Sequence, residues 1–332
     1  MVRPRIEPVV WRAPRRGPAP TPSAMPPVAL HPLPGAGAED VLVDPADGSA
    51  LTGLDDGRVV RVTEDGKQIT EIADTGGRPL GLEWHPDGGL VVCDASRGLL
   101  RVGLDGSVAE LVARGRSGLR LCNNAAVAAD GTVYFSDSTS RFDLPDYRAD
   151  VIEHSATGRL LRRTLDGAVD VLVTGLAFAN GVALAPDESA VFVSDMAAYN
   201  IRRVSLPDGA VSVFADDLPG FADNLSLGSD GLVWMAFPSP RDPVLDTLLA
   251  TPPAIRKALW RLPEKLQPNP DQITWVRAID PTTAAVVHDL RAPLGTYPMV
   301  TGVREHGGRV WLGGLTARAL GSFSLPGPGA RG

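Results

Sequence analysis

Four oxygen-bearing side chains recur at one offset from a repeated turn. Counting back seven residues from the turn aspartates Asp130, Asp187 and Asp230 gives Asn123, Asn180 and Asp223. Eight back from Asp47, where the turn is one residue longer (DPADG), gives Glu39. The matching positions in two further repeats are Leu80 and Val300. Two carboxylates and two amide carbonyls make an oxygen-only donor set, which suits a hard divalent cation such as calcium. Carboxylates at buried strand starts are costly without a partner, and no Lys or Arg recurs at this offset to neutralise them. Any one of these residues alone reads as a turn cap, because Asn and Asp are common turn formers. Four at one offset read as a site. Asn124 and Asn224 follow two of the donors and are candidates for holding them or for binding substrate.

The turns belong to a repeating unit of four short strands, seen in "DVLVDPADGSALTGLDDGRVVRVTEDGKQITEIAD" and again in "NGVALAPDESAVFVSDMAAYNIRRVSLPDGAVSVFAD". First turns fall at Asp47, Asp87, Asp130, Asp187, Asp230 and Gly307, spaced by 40, 43, 57, 43 and 77 residues. A period near 40–45 residues with β-branched strands is the signature of a propeller. The expected fold is all-β: a six-bladed propeller of four-stranded antiparallel blades over residues 37–325, preceded by an arm (1–36) and followed by a tail (326–332). The last unit shows only three strands, and an open outer edge is a liability. An N-terminal strand is therefore expected to close it, with EPVVWR (Glu7 to Arg12) as the candidate.

The two long spacings place insertions 139–157 and 238–272 between the second and third strands of blades 3 and 5. The second contains helix-like apolar spacing in "DTLLATPPAIRKALWRLPEKL". Both should cover the channel end where the four donors lie, with Phe142, Tyr147, Leu259 and Trp260 as apolar walls against a substrate. Three further groups are weighed here. His85 precedes a turn and reads as structural. His154 sits in the first insertion, within reach of the cavity. Glu305, beside a turn, reads as a solvated surface carboxylate.

The chain of 332 residues carries a net charge of −7 and lacks a basic cluster that could track a phosphate backbone, which argues against nucleic acid as a partner. No run of 18 apolar residues is present, so no membrane span is expected. The opening residues are basic without the apolar core of a secretory signal, and the expected location is cytoplasmic. Cys93 and Cys122 lie in or beside strand-like runs and read as small buried hydrophobes, with pairing between them left open.

A family resemblance rests on "GAEDVLVD", "RPLGLEWHPDGGLVVCDASRGLLRV", "NNAAVAADGTVYFSDS", "TGRLLRR", "LAFANGVALAPDESAVFVSD", "PGFADNLSLGSDGLVWMAF" and "MVTGVREHGGRVWLGGL". In their order and spacing, from about residue 37 to 325, the chain resembles the senescence marker protein/gluconolactonase superfamily, most closely its strictosidine synthase-like branch. That resemblance implies a six-bladed propeller with one divalent cation, usually calcium, in its tunnel. The family's ligands fall on Glu39, Asn123, Asn180 and Asp223. Calcium-bearing relatives hydrolyse lactones, aryl esters or organophosphates, whereas plant strictosidine synthases form a C–N bond without these ligands. The expected activity is metal-dependent hydrolysis of a small-molecule lactone or ester. The cation would polarise the carbonyl, with Asp223 or a water on the cation delivering the nucleophile. The alternatives are a synthase- or lyase-like activity and a non-catalytic, calcium-stabilised binding propeller. One departure is Asn124, where many relatives carry Asp.

Overall fold

The computed structural model describes residues 3–15, 17, 21–206, 208–263, 267, 271–297 and 299–326. The turn chemistry legible in the sequence shapes its sheets. Asp130 Oδ1 accepts from Thr132 N at 2.7 Å, Asp187 from Ser189 at 3.0 Å, Asp230 from Leu232 at 3.0 Å and Asp47 from Ser49 at 2.9 Å. Each is an Asp side chain mimicking a backbone turn. Hairpin after hairpin is set in the same register, and six sheets result, each built on four antiparallel strands. The innermost strands are Leu42–Val43, Pro79–Trp84, Cys122–Val127, Ala179–Leu184, Leu225–Leu227 and Val300–His306. The protein is a six-bladed β-propeller.

A second repeated carboxylate pins the start of the inner strand to its neighbour in blades 2, 3 and 4. Asp137 accepts from the backbone N–H groups of Arg120 and Leu121, and Asp195 from that of Ala177 at 2.7 Å. Asp94 does the same for Arg78, Ser96 and Arg97. These buried aspartates are compensated by Arg159 and Arg202 in blades 3 and 4. Between blades the packing is aliphatic: Val91, Leu99, Val133, Phe135 and Leu161 gather with Cys93 and Cys122, both of which are free thiols.

The ring closes through the N-terminal arm, but not where the apolar EPVVWR pattern suggests. Ala29–Pro32 pairs antiparallel with Ala319–Ser324 and supplies the fourth strand of blade 6. Ser23–Ala24 adds a short parallel strand to the outer edge of blade 5. Glu7 to Arg12 instead crosses the lid, where Val9 N donates to Glu153 O and Trp11 N to Leu249 O. Trp11, with Ile6 just ahead of the segment, packs on lid and rim side chains, while Val9 and Val10 stay about half exposed.

The lid is helical. Helix α1 (Tyr147–Glu153) lies between the second and third strands of blade 3, and α2 (Pro243–Leu249) and α3 (Pro253–Arg261) lie at the same place in blade 5. Of the expected tail, residues 327–332 fall outside the described residues. Among the described residues, no helix is long and apolar enough to cross a membrane.

Candidate metal centre and cavity

The blades meet at the tunnel in an alternating pattern. Blades 1, 3 and 5 open with the polar doublets Glu39-Asp40, Asn123-Asn124 and Asp223-Asn224; blades 2, 4 and 6 carry Gly81, Gly181 and Gly302 where the second member would fall. A Cβ on Gly181 would lie 2.1 Å from Leu225 N, and one on Gly302 would lie 2.7 Å from Asp40 Cα. Glycine is therefore what allows the doublet-bearing strands to crowd the axis.

That crowding brings Glu39, Asn123, Asn180 and Asp223 to one cavity of about 150 Å³, together with Leu80 and Thr301. The blade 6 position is a correction: Thr301, not Val300, faces the cavity. Strand pairing aligns Val300 with Gly314, as Ala179 aligns with Asp195, so the blade 6 turn is one residue out of step with the count.

The hydrogen bonding of these side chains is uneven in an informative way. Asn123 donates its amide N–H to Ser138 Oγ at 2.9 Å and Asn180 donates to Met196 Sδ at 3.5 Å. Glu39 Oε1 accepts from Asn224 Nδ2 at 3.0 Å. Left over are Asn123 Oδ1, Asn180 Oδ1 and Glu39 Oε2, all buried and without a hydrogen-bond partner. Each orphaned oxygen costs about 1–3 kcal/mol. Burial also lifts the Glu39 carboxyl well above its ordinary range, and neighbouring Asp223 and Asp40 push it the same way. Asp223 is raised to about 8 by burial, against the opposing effect of a hydrogen bond from Asn180. Arg78 opposes the rise at Glu39 from a distance, but among the described residues no ion pair is made to Glu39 or Asp223. Orphaned acceptors beside such carboxyls fit a cation held by Glu39, Asn123, Asn180 and Asp223. Among the described residues no three Asp, Glu, His or Cys side chains gather as a ligand cluster, so a cation here depends on the two amide oxygens.

The other expected site residues divide. Asn124 and Asn224 are buried beneath the mouth and are not part of the cavity wall. Asn124 Nδ2 reaches Asp40 Oδ2 at 3.3 Å, and Asn124 Oδ1 accepts from Val182 N at 2.8 Å. It ties blades 1, 3 and 4 together. Asn224 orients Glu39. Tyr147 and Leu259 do line the cavity. Phe142 and Trp260 do not: they form a separate lid core with Ile6, Ala149 and Ile152, because both side chains turn away from the tunnel. His154 is buried against Trp11, with ring centroids 4.3 Å apart, and is not in the cavity wall. His85 pairs with Asp87 at a blade turn. Glu305 is buried, not solvated, and accepts from Ser229 Oγ, Asp230 N and Gly308 N.

Two site features escaped the reading of the sequence. Asp40, raised to about 6 by burial despite nearby Arg304, accepts from Val41 N and Leu82 N as well as from Asn124. Its position after Glu39 in a polar doublet was the available signal. Thr301 Oγ1 donates to Glu39 O at 2.6 Å and fixes the donor's backbone. Above the polar floor the walls are apolar, with Phe178, Met196, Phe221, Leu245 and Leu248 among them, and Arg148, Asp242 and Gln272 at the rim.

This fold is shared with solved structures. A gluconolactonase from Xanthomonas campestris superposes with a TM-score of 0.65 at 19% identity, covering 95% of this chain and 100% of that one. A calcium-binding regucalcin from Agrobacterium tumefaciens gives 0.63 at 14% identity, covering 91% and 96%. The class is thus the six-bladed β-propeller that these structures share. Within it, a strictosidine synthase profile matches residues 123–207. The adipocyte plasma membrane-associated protein of Salmo salar is 35% identical over 324 residues, 86% of this chain and 77% of that relative. The chain belongs to the family of the adipocyte plasma membrane-associated protein.

Proposed function

We propose that this protein is a cation-dependent hydrolase of lactones or carboxylic esters, with calcium as the cation. The observation that carries the reading is the set of three unpartnered oxygens on Glu39, Asn123 and Asn180 at the floor of an apolar cavity. A calcium ion bound there would supply Lewis acidity to a carbonyl oxygen. The two structural neighbours, a gluconolactonase and a calcium-binding protein, agree with that chemistry.

The chain's own residues perform the remaining work. Asp223, buried at the cavity floor, is the group placed to take a proton from an attacking water at its carboxylate oxygen. Asn224 holds Glu39 in place, and Thr301 anchors the same residue through its backbone. Phe178, Met196 and Phe221 offer an acyl or aryl group an apolar bed, which a bare sugar lactone would use poorly. Helices α1 to α3 screen the floor from bulk water.

The test is removal of metal with chelator, followed by assay of aryl ester and lactone hydrolysis before and after calcium is restored. Activity should vanish and return. Asp223→Ala should lower kcat by at least ~100-fold, the lower range for a positioned general base. Chelator-resistant turnover would favour the synthase-like alternative. Calcium that raises Tm without any turnover on a broad panel would favour a binding propeller.

A further inference from the structure

The described residues between 3 and 17 add no strand to any blade, yet they are fastened at many points. Arg3 donates to Trp260 O, and Trp260 Nε1 donates to Pro4 O at 2.9 Å. Glu7 N donates to Glu153 Oε2 at 2.6 Å, and the Glu7 side chain pairs with Lys257. Val9 and Trp11 bond the C-terminal ends of α1 and α2. Pro14 O accepts from Arg241 at 2.7 Å, and Gly17 N donates to Asp217 at 2.7 Å. One segment thereby touches all three lid helices and the rim between blades 4 and 5.

Arg256 joins this strap to the cavity. Its side chain is fully buried, one face in the cavity wall. Its guanidinium donates to Ile152 O and Glu153 O at the end of α1 and to Val9 O of the strap. Those carbonyls include unfulfilled acceptors at a helix C-terminus, which a cation satisfies well. The lid helices themselves are short: seven residues in α1, seven in α2 and nine in α3. Helices of that length are not stable alone in water and take their position from what they pack on. Here that includes Ile6, buried in the lid core with Phe142, Ala149, Ile152 and Trp260.

We infer that the strap is a latch: docking of residues 3–15 holds α1 and α3 over the tunnel mouth, and release of the strap opens the cavity to ligand. Arg256 is the positioning residue through which the latch acts. The inference needs only that ligands enter the cavity beneath the lid, not that they are hydrolysed there.

The test reads lid opening directly. A Leu80→Cys reporter places a thiol in the cavity wall, and both native cysteines are fully buried, so maleimide labelling reports access to the tunnel. Ile6→Ala with Trp11→Ala undocks the strap without altering any residue of the cavity wall. Amide exchange at Val9 and Trp11 reports undocking, and exchange across 147–153 and 253–261 reports the helices. With the strap undocked, labelling and helix exchange should each accelerate at least about tenfold, while strands of the propeller keep their protection. Arg256→Met, which cuts the strap from the inner side, should give the same pair of changes. Exposed strap amides with Leu80→Cys labelled at its original rate would overturn the proposal, as would a strap that stays docked in both variants. A protein with no hydrolytic activity that still passes this test would leave the latch standing and remove only the proposed reaction.

Discussion

Replacing Asp223 by Asn should make the metal-free protein more stable and deaf to calcium. Without a cation, burial raises Asp223 from 3.8 to about 8, so at neutral pH the folded protein carries a proton there that the unfolded chain has released. Between about pH 4 and 8 the folded state binds more protons, and stability falls as pH rises through that window. At pH 7 the gap from 3.8 is roughly 3 units, which at 1.36 kcal/mol per unit costs about 4 kcal/mol. Asn has nearly the same shape and does not titrate. With an unfolding entropy near 2.1 cal/mol/K per residue, that stabilisation raises Tm by about 6 °C in a chain of this length. The assay is thermal unfolding with chelator and with calcium. The parent should show a low Tm in chelator and a clear rise with calcium. Asp223→Asn should start higher and not move. A variant that melts below the parent in chelator would mean that protein groups already compensate the carboxylate, and the case for a cation would fail with it.

Four further outcomes follow from the geometry. Gly181→Ala forces a Cβ to within 2.1 Å of Leu225 N and should destabilise by about 3 kcal/mol or more, visible as a lower denaturant midpoint. Tyr147→Ala, in the cavity wall, should raise KM for an aryl ester about tenfold with kcat little changed. Phe142→Ala, in the lid core, should instead cost about 3 kcal/mol of lid stability, seen in amide exchange of α1, with a smaller KM shift. His154 is lowered from 6.5 to about 4 by burial, with Arg256 adding to the effect. The unfolded chain therefore binds the proton more readily between those values, and this residue's contribution is lost as pH falls from 6.5 to 4. The stability difference between parent and His154→Phe should shift by about 3 kcal/mol against the parent over that range. Asp150, raised to about 7 by burial, has the opposite slope in both proteins and cancels in the difference.

The blades were legible because their turns are chemical rather than merely polar. An Asp that bonds the amide two residues on marks blades 1, 3, 4 and 5, and the offset from that mark located four donors that meet in one cavity. Where the turn geometry changed, the count slipped, as at Val300 and Thr301. The closing strand was harder to find because a four-residue edge, ALHP, needs backbone partners more than an apolar pattern. EPVVWR has the stronger β character, but its backbone and Trp11 are taken up by a helical lid that the same pattern cannot reveal, and Val9 and Val10 are left exposed. Phe142 and Trp260 were misplaced for a related reason: helical spacing says that a face is buried, not which of two cores receives it. Asp40 lay hidden beside the residue that drew attention.

The way residues 23–32 are sewn into blades 5 and 6 governs how the chain can come to rest. Their partners, near Arg291 and Ser324, are almost the last parts of the described chain to leave a ribosome. Until then residues 23–32 have no complete edge to pair with, although the lid helices that the strap grips are all made by Arg261. Closure of the ring is therefore a late event that can follow docking of the strap. A nascent chain stalled before residue 319 would present a raw sheet edge in blade 6 beneath a lid already in place.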